Sequence, residues 1–200
     1  NNTHDLYRYN ENSMKWENVK NVNHSDFHTL NRGVGYLYAN TDDTDVVFEG
    51  TFISDNLVDI SLGYTANEFA GFHFIGNPFT HNINEKHFTT TDADKLRTGF
   101  YAVTYEGGLV ARTTGTIAPM ESVMIQTTGS AVLHINKKEP ASASKRGVSE
   151  NNGQLQITVS NANYSDVAYV SFNEGLGLDK INHRNAEIPM VYVPVDGVNY

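Results

Sequence analysis

The segment Gly71-Phe72-His73-Phe74-Ile75-Gly76-Asn77-Pro78-Phe79 decides the fold of this chain. Its first half alternates side chains in the manner of a β-strand, and Gly76-Asn77-Pro78 ends that strand. Pro78 has no N–H and fixes its own φ, and it moves Asn77 toward an extended conformation. The pattern predicts a strand that runs into a rigid corner, with Phe79 packed beyond it. We assign Gly71, Gly76, Asn77 and Pro78 a structural role.

Length and composition indicate a β-rich protein. Two hundred residues suffice for one large all-β domain or two small ones. The 11 Tyr and 10 Phe, together with many Thr, Val and Asn residues, favour strands and turns over helices. The formal net charge of -9 argues against binding to nucleic acid or to anionic membrane surfaces, because both require a basic face.

The absence of cysteine excludes a disulfide scaffold and a thiolate metal site, although it does not exclude secretion. No apolar run is long enough to predict a membrane span. The chain starts at Asn1 without an initiator Met and stops at Tyr200 directly after a strand-like run. We therefore expect both ends to be cuts within a larger protein.

Alternating segments bounded by turn residues predict a series of short strands. They cover residues 6–9 and 14–19 as a hairpin, 33–40, 46–52 paired with 57–62, 100–105 paired with 109–112, 122–126 followed by 131–135, and finally 155–159, 167–172 and 190–194. A single short helix is predicted near residues 92–96, with Thr91 or Asp92 as its cap. Short strands separated by frequent turns predict an all-β, antiparallel β-sandwich of jelly-roll type with little or no helix.

A change of composition divides the chain. Residues 137–153 are rich in Lys, Ser, Ala, Glu, Asn and Gly, which is typical of a flexible loop or linker. We predict a main sandwich over residues 1–136. The strands of residues 154–200 are too few for a robust separate core. They either pack on the main sandwich or begin a second, truncated one.

The order of four motifs resembles a β-sandwich module of secreted and cell-surface, adhesin-like proteins of the Bacteroides phylum. The motifs are Gly33-Val34-Gly35-Tyr36-Leu37-Tyr38-Ala39, Phe48-Glu49-Gly50-Thr51, the corner of residues 71–79, and Ile117-Ala118-Pro119. Residues 166–172, 175–181 and 189–193 resemble the part that follows in those proteins. The resemblance covers most of the chain and implies an extracellular or outer-surface location, without implying one ligand or one reaction.

Two groups of residues could bind a metal. His73, His81 and His87, with Glu85 nearby, are of the right type, but their spacing is longer and less regular than in zinc sites built on one segment. Exposed loop histidines are the alternative. Asp42, Asp43 and Asp45 form a carboxylate-rich turn of the kind that calcium prefers, and a solvated hairpin turn is the alternative there. Asp92 and Asp94 are interpreted as helix-capping residues.

No motif in the sequence predicts catalysis. The chain contains no Gly-x-Ser-x-Gly elbow, no P-loop and no His-Glu-x-x-His. Glu49, Glu121 and Glu174 are scattered, so no pair can be assigned to glycoside hydrolysis. The sequence therefore predicts a protein that is not an enzyme and needs no cofactor.

Aromatic side chains are the best candidates for a binding role, because sugar rings stack on Trp or Tyr. The candidates are Trp16, Tyr36, Tyr38, Tyr64, Tyr101, Tyr105 and Tyr164. Most belong to alternating strands and are predicted to be core. Tyr64 and Tyr164 lie in polar, turn-rich surroundings, so these two are predicted to be exposed.

The sequence favours a non-enzymatic extracellular module with an adhesive or structural role. Contacts would be made by loops at one end of a rigid sandwich, namely residues 21–31, 80–91 and 137–153. The main alternative is a carbohydrate-binding module of a polysaccharide-processing exoprotein. Two further alternatives are an accessory or degenerate hydrolase domain and a pilus-like subunit with an unpaired edge strand. Expected partners are a host or glycan ligand and the neighbouring domains of a larger surface protein.

Overall fold

The structure is a computed structural model that describes residues 4–21, 29–43, 45–47, 49–104, 108–141, 153–171, 177–183 and 185–200. Fourteen strands are found in these ranges: β1 (His4–Asn10), β2 (Lys15–Asn18), β3 (Leu37–Asn40), β4 (Leu57–Leu62), β5 (Phe72–Gly76), β6 (Phe88–Thr90), β7 (Phe100–Val103), β8 (Leu109–Arg112), β9 (Ser122–Gln126), β10 (Ala131–Asn136), β11 (Gln154–Ser160), β12 (Ser165–Ser171), β13 (Pro194–Val195) and β14 (Val198–Asn199). Two 3-10 turns cover Glu85–His87 and Ala93–Lys95. Within the described ranges no helix is long and apolar enough to cross a membrane.

The strands form five antiparallel sheets. Their strand orders are β2-β1-β3, β4-β10-β6, β5-β9-β7-β8, β11-β12 and β13-β14. All pairings between these strands are antiparallel. The prediction of an all-β antiparallel fold is confirmed, whereas the jelly-roll strand order stays a prediction.

The four-stranded sheet β5-β9-β7-β8 lies at the centre because both of its faces are apolar. On β9, Val123 and Ile125 belong to one buried cluster and Met124 belongs to another. This division follows from the alternation of side chains along a strand. Each fully buried aliphatic or aromatic side chain contributes about 1.5–3 kcal/mol relative to its exposed state.

Different elements cover the two faces. On one face, Leu133 and Ile135 of β10 and Phe88 of β6 pack with the central sheet. On the other face, Tyr9 of β1 and Leu37 of β3 pack against it, together with Leu178 and Ile181. The central sheet and the sheet β4-β10-β6 form a β-sandwich-like arrangement, and the sheet β2-β1-β3 is an additional layer.

The predicted corner is held by the backbone N–H and the side-chain amide of Asn77, which is 5% exposed. Its backbone N–H donates to the Glu121 carbonyl at 2.9 Å. Its side-chain nitrogen donates to the carbonyls of His81 at 2.9 Å and Ile117 at 3.0 Å. Its side-chain oxygen accepts the Phe79 N–H at 2.9 Å. Because Pro78 has no N–H to donate, this last bond closes the turn across it.

Gly71 precedes β5 in a conformation that only glycine adopts easily. Its φ is +73°, and a Cβ at this position would lie 2.0 Å from the carbonyl oxygen of Thr127. The same backbone carries two bonds, because Gly71 N–H donates to the Glu11 carboxylate and Gly71 C=O accepts from Thr127 N–H at 2.8 Å. The close approach of the two backbones therefore requires the missing side chain.

Three strand predictions are corrected. Residues 45–47 and 49–56 contain no strand, and β4 pairs instead with β10. The predicted strand over 33–40 is paired only from Leu37, with Val34 in an isolated bridge to Ile75. Over 190–194 the chain is not a strand until Pro194, where the β13–β14 hairpin begins. In each case β-propensity is present, but tertiary partners decide whether a ladder forms.

The polar stretch 80–91 is also not the free loop that was expected. It contains the 3-10 turn Glu85–His87, whose Asn84 and His87 side chains form a capping box, and then β6. The predicted helical turn is present as Ala93–Lys95. Asp92 occupies its N-cap position but makes no side-chain capping bond, so the capping role assigned to Asp92 is wrong.

Residues 177–183 attach to the central sheet through polar contacts. Asp179 pairs with Arg97 at 3.2 Å and accepts a hydrogen bond from Gln126 at 2.7 Å, while its carbonyl accepts from the Tyr101 hydroxyl at 2.8 Å. Next to it, Lys180 pairs with Asp166 of β12 at 2.6 Å. The proposed domain boundaries at 136 and 154 remain predictions.

Candidate functional site

The sheet β2-β1-β3 has one face turned toward the core and one turned away from it. Residues that are paired across neighbouring strands share a face. Tyr9, its partner Trp16, and Leu37 lie on the inner face, where the Trp16 ring meets Phe74 edge-on with centroids 5.1 Å apart. The alternate residues of the same strands therefore form the outer face. They are His4, Leu6, Arg8 and Asn10 of β1, Lys15 and Glu17 of β2, and Tyr38 and Asn40 of β3.

An aromatic pair stands at one end of this outer face. The rings of His4 and Tyr38 are stacked, with centroids 5.9 Å apart and planes 24° apart. Tyr38 is 46% exposed, which leaves much of its surface accessible to a ligand. A stacked tyrosine is held in a defined orientation, as is needed for contact with a flat apolar surface such as that of a sugar ring.

A polar network stands at the other end. Arg8 Nε donates to Glu17 Oε2 at 2.8 Å, and Asn10 Nδ2 donates to Glu17 Oε1 at 2.6 Å. Glu17 is 6% exposed. A buried carboxylate needs partners within the protein, and here the Arg8 guanidinium and the Asn10 amide provide them. Amide and guanidinium groups on the same face as an aromatic ring can recognise sugar hydroxyls.

Tyr38 was predicted to belong to the core, and this is wrong. It lies opposite Leu6 on the outer face, whereas the adjacent Leu37 faces the core. The sequence Tyr36-Leu37-Tyr38 contains only apolar and aromatic side chains, so it does not tell which alternate set is buried. The inner position of Leu37 follows only once β3 is paired with β1.

The two tyrosines predicted to be exposed differ from each other. Tyr64 is 39% exposed. Tyr164 is half-buried in the turn before β12, where its N–H donates to Asn161 Oδ1 at 2.8 Å. No contact joins them in the described ranges. Of the other candidates, Tyr101 is buried with its hydroxyl on Asp179, and Tyr105 lies outside the described residues.

The acidic turn follows β3 at the edge of this surface. Asp42, Asp43 and Asp45 are all exposed, while Thr44 lies outside the described residues. Asp42 N–H donates to Asn40 Oδ1 at 3.4 Å. Over the ranges that the structure describes, no three His, Cys, Asp or Glu side chains are grouped so as to hold a metal ion. Calcium binding at this turn stays a prediction.

The three candidate histidines each contact a different partner. His73 contacts the Gly63 carbonyl at 2.9 Å, His81 contacts the Lys137 carbonyl at 2.8 Å, and His87 contacts Asn84. His73 lies in β5 and is half-buried, and His87 is buried, so neither is an exposed loop histidine. Burial lowers the pKa of both rings below the usual 6.5.

Buried carboxylates are engaged in holding the fold. Glu11 accepts hydrogen bonds from Thr65 N–H at 2.7 Å, Thr65 hydroxyl at 2.9 Å and Gly71 N–H at 3.1 Å. Burial alone would raise the pKa of Glu11, but these bonds lower it. Glu85 accepts from Gly115 N–H at 3.1 Å and lines a small cleft with Arg97. Of the carboxylates named from sequence, Glu49 is exposed, Glu121 caps Ala118 N–H at 2.8 Å, and Glu174 lies outside the described residues.

Comparisons with protein families, with curated proteins and with solved structures find no match for this chain. The outer face of β1, β2 and β3 is therefore assigned as a candidate site on its geometry alone.

Proposed function

We propose that this chain is a non-enzymatic extracellular module of a bacterial cell-surface or secreted protein, acting in adhesion or as a structural spacer. The resemblance of residues 33–39 and 71–79 to Bacteroides-type surface proteins supports the location. Within this proposal, the sandwich is a rigid support that presents the outer face to a partner.

One observation carries the non-enzymatic part of the proposal, namely that the buried carboxylates are used as structural acceptors. Glu11 joins the β1–β2 turn to the loop before β5, Glu17 joins two strands through Arg8, and Asp166 holds Lys180. A general acid or base must instead present a proton or lone pair to a substrate. Side chains occupied in this way support a scaffold.

Labelling of intact cells tests the proposed location. An antibody raised against this chain is expected to label unpermeabilised cells of the source organism, or to detect the protein in the culture medium. Labelling that requires permeabilisation, with no protein in the medium, would contradict it.

A carbohydrate-binding module is the second candidate, and the exposed His4–Tyr38 stack favours it. The test is a glycan and mucin array, run with calcium and again with a chelator. If this candidate is right, Tyr38→Ala lowers the affinity for the bound glycan at least about tenfold, which corresponds to about 1.4 kcal/mol. The matched control is Tyr64→Ala, which removes an exposed tyrosine outside this sheet.

The outcomes separate the two candidates. Saturable binding that depends on Tyr38 supports carbohydrate recognition, and its loss with chelator points to Asp42, Asp43 and Asp45. Binding that is equally weakened by Tyr64→Ala contradicts a site on the outer face. A folded protein that binds no glycan rules out the second candidate and leaves the adhesive or spacer role.

A further inference from the structure

Within the described residues, strand β11 (Gln154–Ser160) has an open edge. It forms a two-stranded sheet with β12, and in the part of the chain that the structure describes no other strand pairs with it. An edge strand presents unpaired backbone N–H and C=O groups that can pair with another chain. No edge strand in the described ranges is longer than β11, which has seven residues.

The sequence of β11, Gln-Leu-Gln-Ile-Thr-Val-Ser, has none of the features that usually protect an edge. It contains no charged residue, no Pro and no Gly, and its β-propensity is high. Other uncharged edge strands, such as β3 and β6, are shorter, with four and three residues. Further edge strands carry charges, among them β2 with Lys15 and Glu17, β4 with Asp59 and β8 with Arg112. These charges oppose edge-to-edge pairing, and β11 lacks them.

The side chains of β11 alternate in a way that suits an added strand. Leu155, Ile157 and Val159 lie on one face and polar residues on the other. Leu155 is 54% exposed and Ile157 is 38% exposed. A strand added beside β11 would cover part of this apolar surface, which favours association.

We propose that two copies of this chain associate by antiparallel pairing of β11 with β11, about a two-fold axis at Ile157. In this register Ile157 lies opposite its own copy, Leu155 lies opposite Val159, and Gln156 lies opposite Thr158. The two hairpins then form one four-stranded sheet in the order β12-β11-β11-β12. The apolar residues of both copies share one face of it, since strands in one sheet keep their faces in common.

The uncharged and self-complementary sequence of β11 supports a second copy as the occupant. The chain carries a net charge of -9, so two copies repel each other over most surfaces. Pairing of β11 with itself places no charge opposite another, whereas an edge such as β2 would bring charged residues into the ladder. An isologous two-fold contact needs such a self-complementary strand.

Sedimentation velocity over a wide concentration range tests the association. The wild type is expected to shift from monomer to dimer as concentration rises. Ile157→Lys places two lysines face to face at the axis and is expected to weaken dimerisation at least roughly tenfold, since like charges directly opposite each other disfavour pairing. Leu57→Lys, which replaces an apolar residue that is 43% exposed at the start of β4, is the matched control and should dimerise as the wild type does.

Cysteine cross-linking tests the register, and it does not depend on the folding of the lysine variant. The chain has no cysteine, so each introduced thiol acts alone. Ile157→Cys should form a disulfide-linked dimer under mild oxidation, because directly opposed Cα atoms are about 5 Å apart. Leu155→Cys should not, because the two equivalent positions would be roughly 13 Å apart.

Three results would overturn the proposal. One is a wild type that stays monomeric at every concentration. Another is a dimer that persists unchanged in a folded Ile157→Lys variant. The third is cross-linking of Ile157→Cys no faster than that of Leu155→Cys.

Discussion

The Asn77 corner and the Asp166–Lys180 pair both fasten a segment against the body of the protein, but by opposite means. Asn77 uses a neutral side chain, and its partners are backbone groups. Asp166 and Lys180 form an ion pair, and their side chains are 1% and 2% exposed. A neutral amide loses less hydration on burial than an ion does. The corner should therefore depend on geometry, whereas the ion pair should depend on both partners and on pH.

A side chain at Gly71 should cause the largest loss of stability in the corner region. Gly71→Ala would place a Cβ at 2.0 Å from the Thr127 carbonyl oxygen, in a backbone with φ of +73°. Since a backbone atom cannot move away as a flexible side chain does, we expect a loss of about 5 kcal/mol or more, or no folding. Urea denaturation measures this loss as a change in the free energy of unfolding. Gly50→Ala is the control, because a Cβ there meets nothing within 4 Å. Equal stability of Gly71→Ala and the wild type would contradict the close packing of β5 on β9.

Removing one partner of the Asp166–Lys180 ion pair should cause the second largest loss of stability. Lys180→Met leaves Asp166 buried and without its cation, although Val191 N–H still donates to it at 2.8 Å. Loss of one partner of a buried pair costs about 3 to 5 kcal/mol. The double variant Asp166→Asn with Lys180→Met should recover part of this loss, because no buried charge remains. A double variant less stable than Lys180→Met would show that the two residues do not act as a pair.

The side-chain amide of Asn77 should contribute less to the stability of the fold than the ion pair does. Asn77→Ala leaves Phe79 N–H and the carbonyls of His81 and Ile117 without this partner, and we expect a loss of about 2 to 3 kcal/mol in thermal or urea unfolding. Asn163→Ala, in an exposed turn, is the control and should change stability by less than about 0.5 kcal/mol. An equally small effect at Asn77 would mean that Pro78 alone maintains the corner.

The sequence predicts the corner well because its signal is local. Pro78 restricts its own backbone and that of Asn77 whatever surrounds them, and the prediction of a strand ending there is met by β5 at Phe72–Gly76. The two hairpins β1–β2 and β7–β8 are found for the same reason, since the strands and the turn are contiguous.

The ion pair and the outer face could not be predicted, because their partners are separated in sequence or depend on sheet pairing. Nothing in the residues around Asp166 indicates that Lys180 lies on it in a buried position. Tyr38 and Leu37 have similar β-propensity, so only the packing of β3 on the central sheet decides which of them is exposed. The same holds for residues 46–52, where strand-forming residues have no ladder partner in the described part of that segment.

The pH dependence of stability gives the finest separation of the two regions. Burial alone would raise the pKa of Asp166, but the nearby His183 ring and the hydrogen bonds from Lys180 and Val191 outweigh it and lower the pKa to about 2. Because the folded pKa lies below the ordinary value of 3.8, the stabilisation is complete above that value and is lost as the pH falls toward 2.

We therefore expect the stability difference between the wild type and the Asp166→Asn, Lys180→Met double variant to change by about 1 to 2 kcal/mol between pH 5 and pH 2, in the direction that disfavours the wild type. Comparing the two proteins at each pH removes the contributions of the other carboxylates, including Glu11. The difference between the wild type and Asn77→Ala should stay constant over the same range, because an amide does not titrate. Urea unfolding at stepped pH measures both differences. A pH-dependent gap for Asn77→Ala, or a constant one for the double variant, would show that the two anchors do not differ in the nature of their charge.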